Sequence, residues 1–323
     1  MREIMRNFNK EKILVTGGAG FIGSHVVDKL IAKGTKVVII DNLITGRKEN
    51  LNSKAKFYEM NITDPKVESI FQKEKPEFIY HFAFNVLVPK SVENPLVDMD
   101  SIVGSLNILI NAQKYGAKKI IFSSSGFVYG NTKNLPVKES EPTEPVSPYA
   151  VAKNTVENYL RFFNKAYSLP YVIFRYSAVY GPRQVTGAMA DYIRKLAADQ
   201  QAEIWGDGKK TRDYVYIDDV VKANLLALSL PDNYPDPVFN VGTGIETTLN
   251  ELYWKIAELL GKKPRPIYLP DRPGEQIRYC LDCSKIKQAL EWQSKYNLEE
   301  GLKLRLKSEN LINFFRYILL RNK

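Results

Sequence analysis

Residues 12–32 constrain the fold more than any other part of the chain. An apolar run, Lys12–Thr16, leads straight into Gly17-Gly18-Ala19-Gly20-Phe21-Ile22-Gly23, which opens an amphipathic stretch reaching Ala32. Glycines at 17, 20 and 23 let a backbone turn sharply, approach a pyrophosphate and pack a helix closely on the preceding strand. The helix start then offers unpaired N–H groups and a partial positive charge to an anion. A second apolar run, Lys36–Asp41, ends on an acid 18 residues past Gly23. That is close to the ~20-residue spacing of a ribose-binding carboxylate. An acid there accepts from both ribose hydroxyls and repels a 2′-phosphate, which favours NAD over NADP.

The same alternation continues. Further strands are expected at Lys56–Met60, Phe78–His81, Lys119–Ser123 and Tyr171–Arg175, and helices at Phe21–Ala32, Pro65–Gln72, Asn94–Tyr115 and Tyr149–Tyr167. Strands rich in Ile and Val, separated by helix-length segments, predict a parallel sheet covered on both faces. The fold class is therefore α/β: a Rossmann-type doubly wound parallel sheet with a smaller mixed C-terminal part. The expected division is a dinucleotide-binding domain over 1–176 and a mainly substrate-binding domain over 177–323, with some chain crossing back. Shorter elements and the turns Gly206-Asp207-Gly208, Gly242-Thr243-Gly244 and Pro270–Gly274 mark that second part.

Charge bears on the partner. The net charge is +10, of which residues 1–12 carry +2 and residues 303–323 carry +5, leaving +3 for the body. The basic character thus sits mostly at the ends, and a nucleic-acid partner is not expected. Two cysteines, Cys280 and Cys283, cannot staple 323 residues, so a reducing cytoplasm is the expected compartment. Only His25 and His81 are present, which leaves no histidine-rich metal site and argues against a Ser–His–acid triad. No apolar run approaches the ~20 residues of a membrane span.

A second constellation carries chemistry. Ser147-Pro148-Tyr149 reads as a helix start, with Ser as N-cap and Pro at the first helical position. Tyr149 and Lys153 stand four apart and share a helical face. A phenol ionises near ~10 and is a poor base at neutral pH. A neighbouring ammonium and a bound cationic nicotinamide would favour the phenolate. Ser123-Ser124-Ser125 end the preceding strand, where ligands bind in sheets of this kind.

These residues resemble the extended short-chain dehydrogenase/reductases, in their NAD-dependent sugar epimerase/dehydratase branch. The motifs run colinearly through the chain: TGGAGFIGSH at 16–25, DNLITGRKENL at 41–51, SVENP at 91–95, FSSSGFVYG at 122–130, SPYAVAK at 147–153 and RYSAVYGPRQ at 175–184. The second half adds GDGKKTRDYVYIDDV at 206–220, FNVGTG at 239–244 and RPGE at 272–275. The resemblance implies that Gly17, Gly20, Phe21, Ile22, Gly23, Asp41 and Asn42 hold the ADP half of NAD, with Asn61 and Ile62 at the adenine. It implies Tyr149 as the catalytic base, Lys153 as its activator and ribose ligand, and Ser125 as partner at the sugar oxygen. Arg212 and Arg272 would clamp a nucleotide-sugar diphosphate, Trp205 would lie near the base, and Tyr279 would limit room for an N-acetyl group. The implied reaction inverts C4 of a nucleotide sugar, UDP-glucose/UDP-galactose favoured. Tyr149 takes the 4-OH proton while hydride passes to NAD, the 4-keto sugar turns, and hydride returns to its other face. A homodimer through helices 94–115 and 149–167 is also implied.

Some positions depart from the family pattern. Gly126-Phe127 replaces the Asp-Glu of the dehydratases, and the decarboxylases also keep a Glu there, so both of those reactions lack their acid–base group. Phe84 and Phe127 replace smaller residues, and Ser101 and Ala178 replace asparagines. Two other readings stay open. One is an epimerase acting on a uronic acid or an unusual hexose. The other is a non-catalytic member of the fold that binds a nucleotide or RNA. The basic, apolar segment 311–320 suggests packing on the protein's own second domain, or docking on a membrane surface or a partner protein.

Overall fold

The computed structural model describes residues 11–272, 274 and 276–308. Segment 311–320, most of the N-terminal charge, and Pro273 and Glu275 of the RPGE motif lie outside the described residues.

The first half alternates as its sequence predicts. It runs β1 (Lys12–Thr16), α1 (Phe21–Ala32), β2 (Lys36–Asp41), β3 (Lys56–Glu59), α2 (Val67–Glu74), β4 (Phe78–His81), α3 (Val88–Glu93), α4 (Met99–Lys114), β5 (Lys119–Ser125), α5 (Pro148–Tyr167) and β6 (Tyr171–Tyr176). The second half follows with β7 (Ala178–Tyr180), α6 (Ala188–Ala197), β8 (Glu203–Trp205), β9 (Thr211–Arg212), β10 (Tyr214–Tyr216), α7 (Ile217–Ala227) and β11 (Val238–Val241). It closes with β12 (Thr247–Thr248), α8 (Leu249–Leu259), β13 (Ile267–Leu269), α9 (Ser284–Leu290) and α10 (Leu298–Ser308).

Seven parallel strands form the central sheet in the order β11-β6-β5-β4-β1-β2-β3. The order reverses between β1 and β4, and in such sheets ligands bind at the carboxyl ends beside that switch. Strand alternation explains why both faces need cover. Ile13 and Val15 enter one apolar cluster with Val26, Val27 and Leu30 of α1 and Val220 and Val221 of α7. Leu14, Val38 and Ile40 point the other way, to a cluster that also holds Val67 of α2, Ile108 of α4 and Val156 of α5.

Two expectations need correction. The segment 94–115 is not one helix: α3 ends at Glu93, a 3₁₀ turn spans Pro95–Asp98, and α4 starts at Met99. Asn94 causes the break, because its side-chain oxygen accepts from Leu96 N and Pro95 cannot donate. Strand β5 also runs to Ser125, two residues past the expected end, so all three serines lie on the sheet. The seventh strand, β11, comes from residues past 176 and pairs with β6 from Val238↔Ile173 to Val241↔Tyr176.

The rest of the second half is built from three two-stranded ribbons, β10 with β7, β12 with β9 and β13 with β8, flanked by helices. Helix α8 starts with a reciprocal capping box between Thr248 and Glu251.

Candidate active site

The carboxyl ends of β1, β2, β4 and β5 open into one cavity of about 650 Å³. Its lining includes Gly17, Gly20, Phe21, Ile22, Gly23, Asp41, Asn42, Asn61 and Ile62 at one end. Ser125, Tyr149 and Lys153 line it at the other. The structure therefore brings the glycine loop and the Tyr–Lys–Ser group, more than a hundred residues apart in sequence, onto one surface.

The loop is shaped by close approach. Gly17 has φ +71°, and a Cβ there would stand 2.6 Å from Ala83 N. At Gly23 a Cβ would meet the Gly17 carbonyl, so only glycine lets α1 come this near the turn. Helix α1 has no side-chain N-cap and no acid in its first turn. Its end is thus free to take an anion from the cavity.

Asp41 is fixed before any ligand arrives. Its Oδ2 accepts from Ala19 N at 2.9 Å and its Oδ1 from Leu43 N at 2.8 Å. Burial raises its pKa, and those two N–H groups oppose the rise. Each oxygen keeps a lone pair for a ribose hydroxyl. The segment after β2 clamps the loop from outside: Arg47 N and Asn50 Nδ2 both donate to Ala19 O, at 3.0 and 2.9 Å. Asn61 Oδ1 accepts from Thr63 N, and the Ile62 carbonyl accepts from Asn107 Nδ2 at 2.8 Å.

Helix α5 carries Tyr149 and Lys153. Ser147 Oγ accepts from Ala150 N, and Pro148 occupies the first turn. Lys153, 2% exposed, donates from Nζ to Ser123 O at 2.5 Å. Its ammonium lies 3.7 Å from the Phe84 ring centre, 4.9 Å from Phe122 and 5.8 Å from Tyr149. Burial lowers the Lys153 pKa to about 7, against the pull of Glu157 and Asp98. Tyr149 is raised to about 12, chiefly by burial, while a hydrogen bond with Ser125 pulls it down. The ammonium alone therefore does not produce a phenolate in the free protein.

The serine strand is tied from behind. Ser124 Oγ donates to Glu157 Oε1 at 2.6 Å, and buried Arg175 grips the same carboxylate through Nε at 3.0 Å and Nη2 at 2.6 Å. His81 sits between Thr16 Oγ1 at 2.7 Å and Ser105 Oγ at 2.8 Å. Ser105 spends its one proton on Ser101 O, so Nε2 of His81 must donate and Nδ1 must accept. Burial first, then the Lys153 charge, lower the His81 pKa to about 3. Ser101 also accepts from Asn85 N at 2.9 Å, a contact the sequence did not suggest.

Other expected substrate residues lie outside this lining. Arg212 donates to the carbonyls of Thr211 and Gln276 and stands 5.7 Å from the Phe127 ring. Arg272 stacks on Trp205 at 3.5 Å. Tyr279 is 1% exposed; its hydroxyl donates to Tyr176 O and its ring meets Phe127 edge-on at 5.7 Å. It stands behind Phe127, and a side chain at Gly126 would strike its hydroxyl. Ala178 opens β7 and offers no polar side chain. Residues that sequence reasoning missed include Asn50, Arg183, Gln184 and Val179, all in the cavity wall. Among the described residues, no group of three or more His, Cys, Asp or Glu is placed to hold a metal ion.

An uncapped helix start, a glycine cradle and a pre-fixed acid at the end of the second strand define a dinucleotide-binding α/β protein of the Rossmann type. The chain belongs to the NAD dependent epimerase/dehydratase family, whose profile matches residues 13–242. A UDP-glucose 4-epimerase of Mycolicibacterium smegmatis is 38% identical over 316 residues, covering 94% of this chain and 98% of the relative. A solved UDP-glucose 4-epimerase of Thermotoga maritima with UDP-glucose is 46% identical, with a TM-score of 0.89, covering 95% of this chain and 99% of that one. The Thermus thermophilus UDP-glucose 4-epimerase complex with NAD is 36% identical, with a TM-score of 0.86, covering 94% and 99%. NAD is the cofactor of the family, and the loop, the helix start and Asp41 fit its phosphates and ribose.

Proposed function

We propose that this protein is an NAD-dependent epimerase that inverts C4 of a nucleotide hexose, with UDP-glucose and UDP-galactose as the favoured pair. The observation that carries the reading is the single cavity in which the dinucleotide loop and Tyr149, Lys153 and Ser125 meet. The relatives' activities support the sugar and the base.

NAD, when bound, supplies the hydride acceptor and donor. The chain's own groups do the rest. Gly17, Gly20, Phe21, Ile22 and Gly23 hold the pyrophosphate by backbone contact, Asp41 and Asn42 the adenosine ribose, and Asn61 and Ile62 the adenine. Lys153 holds the second ribose and presents its positive charge to the tyrosine. Tyr149 Oη takes the proton from the sugar 4-OH, and the Ser125 hydroxyl bonds the same oxygen. Arg212, Arg272 and Trp205 retain the diphosphate and base while the sugar turns. Tyr279 acts on sugar size from behind, by fixing Phe127. Gly126 and Phe127 follow Ser125, so these two positions carry no carboxylic acid for dehydration.

The test is proton NMR of the purified protein with NAD and a panel of nucleotide sugars. Interconversion of UDP-glucose and UDP-galactose is expected. Conversion confined to a uronic acid or another hexose would transfer the reading to that sugar, and inertness towards the whole panel would refute it.

The assembly proposed is a homodimer through α4 and α5. Met99, Val103 and Ile110 on α4, and Val151, Tyr159 and Phe162 on α5, are all exposed at helical spacing. Phe162→Glu would then sediment as a monomer. The compartment proposed is the reducing cytoplasm, where the free thiols of Cys280 and Cys283 persist. Among the described residues, no helix is long and apolar enough to cross a membrane.

A further inference from the structure

Position 84 carries a larger residue than the resemblance leads one to expect, and the structure shows what that residue touches. Phe84 follows β4, is half-buried and lines the cavity. Its ring face lies 3.7 Å from Lys153 Nζ, nearer than any other ring. The same ring meets Tyr149 edge-on at 6.0 Å and Phe122 at 6.2 Å. One side chain thus lies against both members of the Tyr–Lys pair and covers one side of the ammonium.

We propose that Phe84 is a positioning residue of this site: its ring face seats the Lys153 ammonium between Ser123 and Tyr149, and so sets the pH range over which the pair works. The proposal rests on the epimerase reading for what the pair does. A ring face attracts a cation, most strongly where water is excluded. The same ring excludes that water, which disfavours the charge. Burial is the main cause that brings Lys153 down to about 7, so a change in the cover over the ammonium should show in its titration. Other groups facing the ammonium leave this balance in place. Glu157, one turn further along α5, is held by Arg175 and Arg161. Asp98, from the 3₁₀ turn, is held by Asn85 and Ser91. Both carboxylates favour the ammonium. His81 on β4 is neutral above about pH 3. Tyr149 stays un-ionised until about pH 12 in the free protein.

Two substitutions separate the two actions of the ring. Phe84→Ala lets water reach the ammonium, and the Lys153 transition is expected to rise by at least about one pH unit. Phe84→Leu keeps the apolar cover but removes the ring face, so the transition stays put or falls. The experiment is a pH titration by NMR of the full chain labelled at lysine Cε, without nucleotide sugar. The Lys153 resonance is identified by its loss in Lys153→Arg. A wild-type midpoint near 7 that rises in Phe84→Ala and does not rise in Phe84→Leu supports the proposal. A midpoint that Phe84→Ala leaves unmoved, or that rises equally in Phe84→Leu, overturns it. In turnover, the alkaline fall of kcat/KM should move up with the midpoint in Phe84→Ala. Wild-type inertness towards nucleotide hexoses with the titration as expected would count against the epimerase reading and not against the seat.

Discussion

The two ends of the proposed site are held by different means. At the dinucleotide end the groups are mostly backbone: an uncapped helix start, a glycine turn at φ +71° and an acid fixed by two N–H donors. These are positioned by a seven-stranded sheet packed on both faces. At the expected nucleotide-sugar end the groups are long side chains on or beside short ribbons, each occupied within the protein. Arg272 lies on Trp205, and Arg212 caps two carbonyls. The first end is organised before its ligand arrives, whereas the second must exchange internal partners for ligand. Preorganisation cuts the cost of binding, so the proposed site is expected to retain the cofactor more tightly than the nucleotide sugar.

Substitutions that strike one end at a time test this difference. The largest effect is expected at the meeting point: Tyr149→Phe should lower kcat by about 10²–10⁴-fold, the range of general acid–base catalysis, with NAD affinity retained. Steady-state assay and cofactor titration together would check it. Next comes the support behind the serines. Arg175→Ala leaves Glu157 buried without its bidentate partner and should cost about 3–5 kcal/mol of stability, read by denaturant unfolding. Asp41→Asn should weaken NAD binding and narrow its preference over NADP, as measured by calorimetry with both cofactors. Arg272→Ala should raise the KM for the nucleotide sugar by about tenfold or less, because the free side chain already has a partner to leave. A larger loss at Arg272 than at Asp41 would reverse the comparison.

The smallest effect lies far from both ends. Glu74 is opposed by burial but held by Lys56, Tyr58 and Lys12, which bring its pKa down from 4.5 to about 2. A depressed carboxylate gives stability that is complete above its unfolded value and lost as pH falls through the folded one. Glu74→Gln should therefore flatten the decline of stability between pH 4.5 and about 2 and leave activity alone.

What the sequence disclosed follows from the range of each interaction. The loop 17–23, Asp41 and the Tyr149–Lys153 pair are local patterns, with spacing set by strand, turn and helix geometry. The break at Asn94 was missed because an Asx contact competes with a helix that residues 99–114 otherwise favour. Strand β11 is four residues long and joins the sheet only through its contact with β6, so periodicity alone could not place it. The Tyr149 pKa depends on burial, which comes from packing and outweighs the hydrogen bond with Ser125. Phe84 was visible as a departure, yet its seat against Lys153 joins a loop to a helix 69 positions away.

The most direct test of the central claim uses UDP-glucose labelled with deuterium at C4, incubated with the protein and NAD. UDP-galactose that keeps the deuterium at C4 is the predicted product, because hydride leaves and returns within one cavity. Product that has lost the label to solvent, or no product at all, would contradict it.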